Sequence, residues 1–122
     1  MTRHIILVVS SDDERLQGWH RVVRRTGHNP LPAPTIRRAV FLANKVRPSL
    51  VLTDPALPDG YAHLLLRELR AIAGTGHVVI VVLGVLLLEH HQYVAQDRHA
   101  QVWPVHDDDA LERLLKEHLS AA

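Results

Sequence analysis

The stretch that decides the fold is RPSLVLTDPALPDG at 47–60. Leu50–Thr53 is aliphatic and β-branched and is bounded by Pro48 and by Asp54–Pro55, which predicts a short strand buried on both faces. A carboxylate, Asp54, follows at once, and then a turn-rich loop, Pro55–Gly60. In open α/β sheets the ligand chemistry lies just outside the C-terminal ends of the strands, where Asp54 falls.

The same alternation of strand and helix continues on both sides of this segment. Upstream, Ile5–Val9 is a buried strand. Asp12 or Asp13 caps a helix that aligns Leu16, Trp19, Val22 and Val23, and Gly27 stops it. His28–Leu31 is a short second strand, closed off by Pro30, Pro32 and Pro34, after which Thr35 caps a helix with Ile36, Ala39, Val40, Ala43 and Val46 on one face. Downstream, a helix carries Leu65, Leu66, Leu69 and Ile72 and ends at Gly74 and Gly76, and His77–Leu83 is the strongest strand. A helix around Leu86–Ala95, a strand at Gln101–Trp103 and a last helix capped by Asp107–Asp109 complete the pattern. Five strands without polar alternation, each followed by a helix, predict a doubly wound α/β fold. The expected sheet is five-stranded and parallel, in the order 2-1-3-4-5, within a single domain spanning 1–122.

Composition narrows the function classes. The 122 residues are 47% apolar and 22% charged, which suits a soluble core-forming chain and excludes a disordered one. There is no Cys, so disulfide scaffolds and thiolate metal sites are excluded. The longest apolar run, Val78–Leu88, is interrupted by Gly84 and is too short to span a bilayer. Arg3 and His4 lead straight into the first strand with no cleavable leader, so the expected location is the cytoplasm. Charge is uneven: residues 1–50 hold nine Lys/Arg against three Asp/Glu, and residues 51–122 hold five against ten. The arginine groups at 21, 24, 25 and at 37, 38 read as solvated helix faces, with an acidic partner as the minority reading. Aromatic clusters for base stacking are missing.

In the 2-1-3-4-5 order the first and third strands are neighbours, so Asp12, Asp13 and Asp54 converge on one pocket. Taken alone, Asp12 and Asp13 are ordinary helix caps and Asp54 is an ordinary turn residue before Pro55. Taken together, three carboxylates point to a hard divalent cation such as Mg²⁺, and Asp54 to a nucleophile that can accept a phosphoryl group.

With these pieces in place the chain resembles the receiver domain of two-component response regulators over essentially its whole length. The resemblance rests on the Asp12–Asp13 pair, on the 47–60 segment, on the aliphatic fourth strand and on Pro104 after the fifth. It implies Asp54 as phosphoacceptor, and Asp12, Asp13, Asp54 and the Ala56 carbonyl as Mg²⁺ ligands. It also implies protein partners (a sensor kinase, an output domain or another signalling protein), no membrane, and a homodimer face made by helix four, strand five and helix five.

Four positions depart from the family pattern. Trp103 stands where the family has a Lys before Pro104. Gly84, or Leu83 if the register slips by one, stands where it has Thr or Ser. Ala100 takes the place of the switch aromatic, and Pro55 lacks the backbone N–H that would meet the phosphoryl group. Charge-assisted hydrogen bonds contribute about 1.5–3 kcal/mol each and neutral ones about 1, so the combined loss is comparable with the gap of a typical two-state switch. The expected function is an atypical receiver, a signalling and protein-interaction module rather than a turnover enzyme, with an impaired phosphorylation switch. The alternatives are a working Mg²⁺-dependent phosphoacceptor at Asp54 and, more remotely, a scaffold or DNA-associated module using the basic half. Trp103 is expected over the acidic pocket or against the adjacent helix face, with a cis Trp103–Pro104 peptide. The His90–His91 pair, about 100° apart on a helix, is ill-placed to share one metal ion.

Overall fold

The computed structural model describes residues 3–103 and 107–119. Pro104 and the Trp103–Pro104 peptide therefore lie outside the described residues. The strands are β1 (Ile5–Val9), β2 (Asn29–Ala33), β3 (Leu50–Thr53), β4 (Ala56–Leu57), β5 (Gly60–Tyr61), β6 (Val79–Leu83) and β7 (Ala100–Trp103). The helices are α1 (Asp13–Arg25), α2 (Ile36–Val46), α3 (Ala62–Arg70), α4 (Leu88–Ala95) and α5 (Asp108–Leu119). The main sheet is parallel with the order β2-β1-β3-β6-β7, which is the expected 2-1-3-4-5 once its own five strands are counted. The segment expected as a loop after β3 folds into a small antiparallel hairpin, β4–β5, that turns at Pro58–Asp59.

Strand alternation divides the core into two layers. Ile6, Val8, Leu50, Leu52, Val81 and Leu83 pack with Trp19, Val22, Val23, Leu111, Leu114 and Leu115 of α1 and α5. Leu7, Val9, Val51 and Ile80 pack with Ala39 and Ala43 of α2, Leu65 and Leu69 of α3, and Val94 of α4. Both faces of every central strand are covered, so those strands show no polar alternation in sequence.

β2 runs further than expected, through Pro30 and Pro32 to Ala33. The Asn29 N–H donates to the His4 carbonyl and the Ala33 carbonyl accepts from the Ser10 N–H, so the odd-numbered residues face β1. Pro30 and Pro32 fall on the outward positions of an edge strand, where a missing N–H breaks no ladder bond. α4 starts at Leu88, later than expected, and its only buried residue is Val94. Val85, Leu87 and Leu88 are left exposed before and at its first turn.

Candidate functional site

β1 and β3 lie side by side where the strand order reverses, and their C-terminal ends place Ser10 next to Asp54. The Asp54 N–H donates to the Val9 carbonyl at 3.0 Å, which extends the ladder one step and points the carboxylate into the crevice. Asp54 is 2% exposed. A buried carboxylate needs partners for both oxygens, and it has them. The Ser10 hydroxyl donates to Oδ2 at 2.6 Å, and Arg15 Nη1 meets Oδ1 at 2.6 Å.

The first turn of α1 holds Arg15 there. Asp12 is the N-cap, its Oδ1 accepting from the Arg15 N–H at 2.9 Å, while its own N–H donates to Ser10 Oγ at 3.1 Å. Ser10 thus links the cap to Asp54. Asp12 and Asp13 are exposed, and both stand at the start of α1, where their charge complements the helix dipole. Ala56 is an exposed residue of β4 paired with Tyr61. Of the acidic residues singled out, Asp54 is buried at the crevice and Asp12 caps the helix that supplies its counter-charge. Neither Ser10 nor Arg15 stood out in sequence. The available signal for Arg15 was a cation three residues after an N-cap, on the turn that overhangs the strand ends.

The opposite wall is closed by packing. Gly84 follows β6 at φ 148°, and a Cβ added there would lie 2.8 Å from both Cγ and Cδ of Pro55. The Pro55 ring fills the space that a hydroxyl-bearing side chain at 84 would need. The Gly84 N–H is used in a 2.8 Å bond to the Trp103 carbonyl. Trp103 is half-buried and packs with the α1/α5 core layer, and its indole N–H donates to Gln101 Oε1 at 3.1 Å. Ala100 packs on the other layer, which also includes Val94 of α4.

Beside Pro55 and Ala56 lies an apolar hollow of about 280 Å³, bordered by Tyr61, Leu86, Leu87 and His90. His90 belongs to a ring cluster, 4.2 Å from His63 and 4.5 Å from Tyr61 between centroids, while His91 is exposed. Burial, then the neighbouring His90 and Arg67, hold His63 below the usual imidazole range.

Among the described residues no group of three or more His, Asp and Glu is gathered to hold a metal ion. Mg²⁺, which the family resemblance implies, does not fit this pocket as it stands: both Asp54 oxygens are engaged, and a guanidinium occupies the approach to one of them.

The architecture has close counterparts among solved structures. The chemotaxis response regulator CheY4 of Vibrio cholerae superposes with a TM-score of 0.85, at 18% identity, over 97% of this chain and 100% of that one. The chain has the fold of response-regulator receiver domains. A receiver domain protein of Methanospirillum hungatei gives 0.86 at 21% identity, covering 98% of this chain and 95% of its own. The receiver domain of a sensor histidine kinase from Pseudomonas aeruginosa, solved with a magnesium ion in its active-site cleft, gives 0.84 at 20%, covering 98% and 100%. No protein-family model and no curated protein sequence matches the chain. Asp54 follows β3 and Asp12–Asp13 follow β1, and no described helix is long and apolar enough to cross a membrane.

Proposed function

We propose that this chain is an atypical receiver module of a two-component system, one that communicates through protein contacts and whose phosphorylation switch is impaired. The observation that carries the reading is the Pro55–Gly84 contact. A receiver holds a phosphoryl group with a backbone N–H after the acceptor and a hydroxyl at the end of the fourth sheet strand. Here the first is removed and its replacement ring fills the place of the second. Trp103, packed on the α1/α5 side, offers one indole N–H already given to Gln101 and no ammonium.

Such a module works by presenting a surface and not by turnover. Exposed Val85, Leu87 and Leu88 at the start of α4 offer an apolar contact to a kinase, an output domain or a second copy through α4, β7 and α5. The proposed setting is the cytoplasm. Mg²⁺ uptake at Asp12, Asp13 and Asp54 competes with Arg15 and is weak. The decisive experiment is incubation with acetyl phosphate and Mg²⁺ followed by intact-mass analysis, with beryllofluoride titrated in parallel by amide NMR. The expected result is little or no adduct and nearly unchanged shifts on β6 and β7. Stoichiometric labelling at Asp54 with rearrangement of the α4 face would overturn the reading in favour of a working phosphoacceptor.

A further inference from the structure

The acidic pocket carries its own cation, a feature neither the fold nor the departures above account for. Asp54 is one of the few polar groups buried in the described chain, and burying a lone carboxylate is costly unless it is paired. Its pairing comes from within the chain. Arg15 Nη1 lies 2.6 Å from Oδ1, with the Arg15 side chain 42% exposed and that of Asp54 4% exposed. The guanidinium therefore stands at the mouth of the crevice with its far side in solvent, where a cation entering from water would approach. Arg is permanently charged, so the neutralisation does not depend on metal supply.

We infer that Arg15 is a built-in substitute for the divalent cation, making the Asp54 pocket metal-independent and excluding Mg²⁺ by occupancy and like charge. This deepens the proposed function and rests on its reading of Asp54 as the receiver acceptor position. The residues around the pair support it. Asp12, in the position of a metal ligand, spends its Oδ1 on the Arg15 N–H and so fixes the turn that carries the guanidinium. The Ser10 hydroxyl donates a hydrogen bond to Asp54 Oδ2, which leaves that oxygen engaged as well. Of the carboxylates that would gather a metal, Asp12 holds the arginine's turn and Asp54 receives its guanidinium.

The inference makes a gain of function testable. Binding of Mn²⁺, as a paramagnetic probe, and of Mg²⁺ is measured by NMR line broadening and calorimetry on the unaltered chain, Arg15→Ala, Arg15→Lys and Arg15→Ala/Asp54→Asn. The unaltered chain and Arg15→Lys should bind neither ion saturably at millimolar concentration. Arg15→Ala should bind both about tenfold or more tightly, a coupling within the usual range, and lose that binding when Asp54 is also changed. Thermal unfolding supplies a second readout: Arg15→Ala should melt lower without Mg²⁺ and recover as Mg²⁺ is added, whereas the unaltered chain should not respond. Equal metal binding by the unaltered chain and Arg15→Ala, or none by either, overturns the inference and leaves the impaired-switch proposal standing. If Arg15→Ala both binds Mg²⁺ and becomes fully phosphorylated, Arg15 alone blocks the switch. The inference then holds, and the assignment of the block to Pro55 and Gly84 fails.

Discussion

Replacing Gly84 by Ala probes the closed wall of the pocket directly. The backbone at 84 sits at φ 148°, where an L-residue is strained by about 1–2 kcal/mol. The new Cβ would lie 2.8 Å from two atoms of the Pro55 ring, which has no rotamer to yield, and overpacking of this kind costs about 1–3 kcal/mol. The expected loss is therefore about 2–5 kcal/mol, read as a fall of roughly 1–2.5 M in the urea midpoint. Pro55→Ala removes Cγ and Cδ and leaves Cβ, which is 3.8 Å from the same point. In that background Gly84→Ala should retain the backbone strain and lose the clash, giving a coupling of about 1–3 kcal/mol in the double-mutant cycle. Simple additivity, or a Gly84→Ala loss below about 0.5 kcal/mol, would refute the argument that the proline ring fills the site. A hydroxyl can thus return to position 84 only together with a change at 55.

Two further outcomes follow from the charged groups. Arg70 donates to both oxygens of Asp97, at 2.7 and 3.1 Å, and to the carbonyls of Thr75 and Val78, tying the end of α3 to the end of α4. Asp97→Asn should cost about 2–3 kcal/mol by chemical denaturation, since it leaves a largely buried guanidinium without its counter-charge. The hydrogen bond from Arg70 holds the Asp97 carboxyl below its ordinary value, against the opposing effect of burial. Its contribution is complete above the ordinary carboxylate range and is lost as pH falls through the lowered value, so Asp97→Asn should flatten the acid limb below about pH 4. His20, His28 and His63 are each held below the usual imidazole range, first by burial and then by neighbouring Arg or His. The unfolded chain takes up protons at these positions before the folded one does, so stability should fall as pH drops below about 6.5. Urea midpoints at pH 7.5 and 5.5 check this, and an unchanged or higher midpoint at the lower pH contradicts it.

Most of the fold was legible because burial on both faces leaves a plain mark: Ile5–Val9 and Leu50–Thr53 are uninterrupted aliphatic runs and fold as such. α1 and α2 were legible from Asp12 and Thr35 as caps, each side chain accepting from the third residue of its helix. β2 runs beyond its expected end because proline, a breaker inside a sheet, is tolerated on the outward positions of an edge strand, and those positions appear only once the pairing partner is known. The β4–β5 hairpin is two residues per strand, too brief for any periodicity. At the site, Asp54 and the departures at 55, 84 and 103 were legible by position. The Arg15 pair was not, because Asp54 is 39 residues away in sequence and the contact depends on how α1 sits over the strand ends.

The prolines at 30 and 32 have a consequence for how this protein can assemble. A parallel sheet that ends in an open strand offers a row of N–H and C=O groups on which another chain can grow a strand, and from there fibrils can propagate. Along β2 the outward donors at alternate positions are gone, so an incoming strand finds carbonyls to donate to but none of the reciprocal bonds at 30 and 32. That border is closed to strand exchange and to cross-β templating at no cost to the native ladder. Contacts made on the β2 side of the protein must come through the helices that flank it.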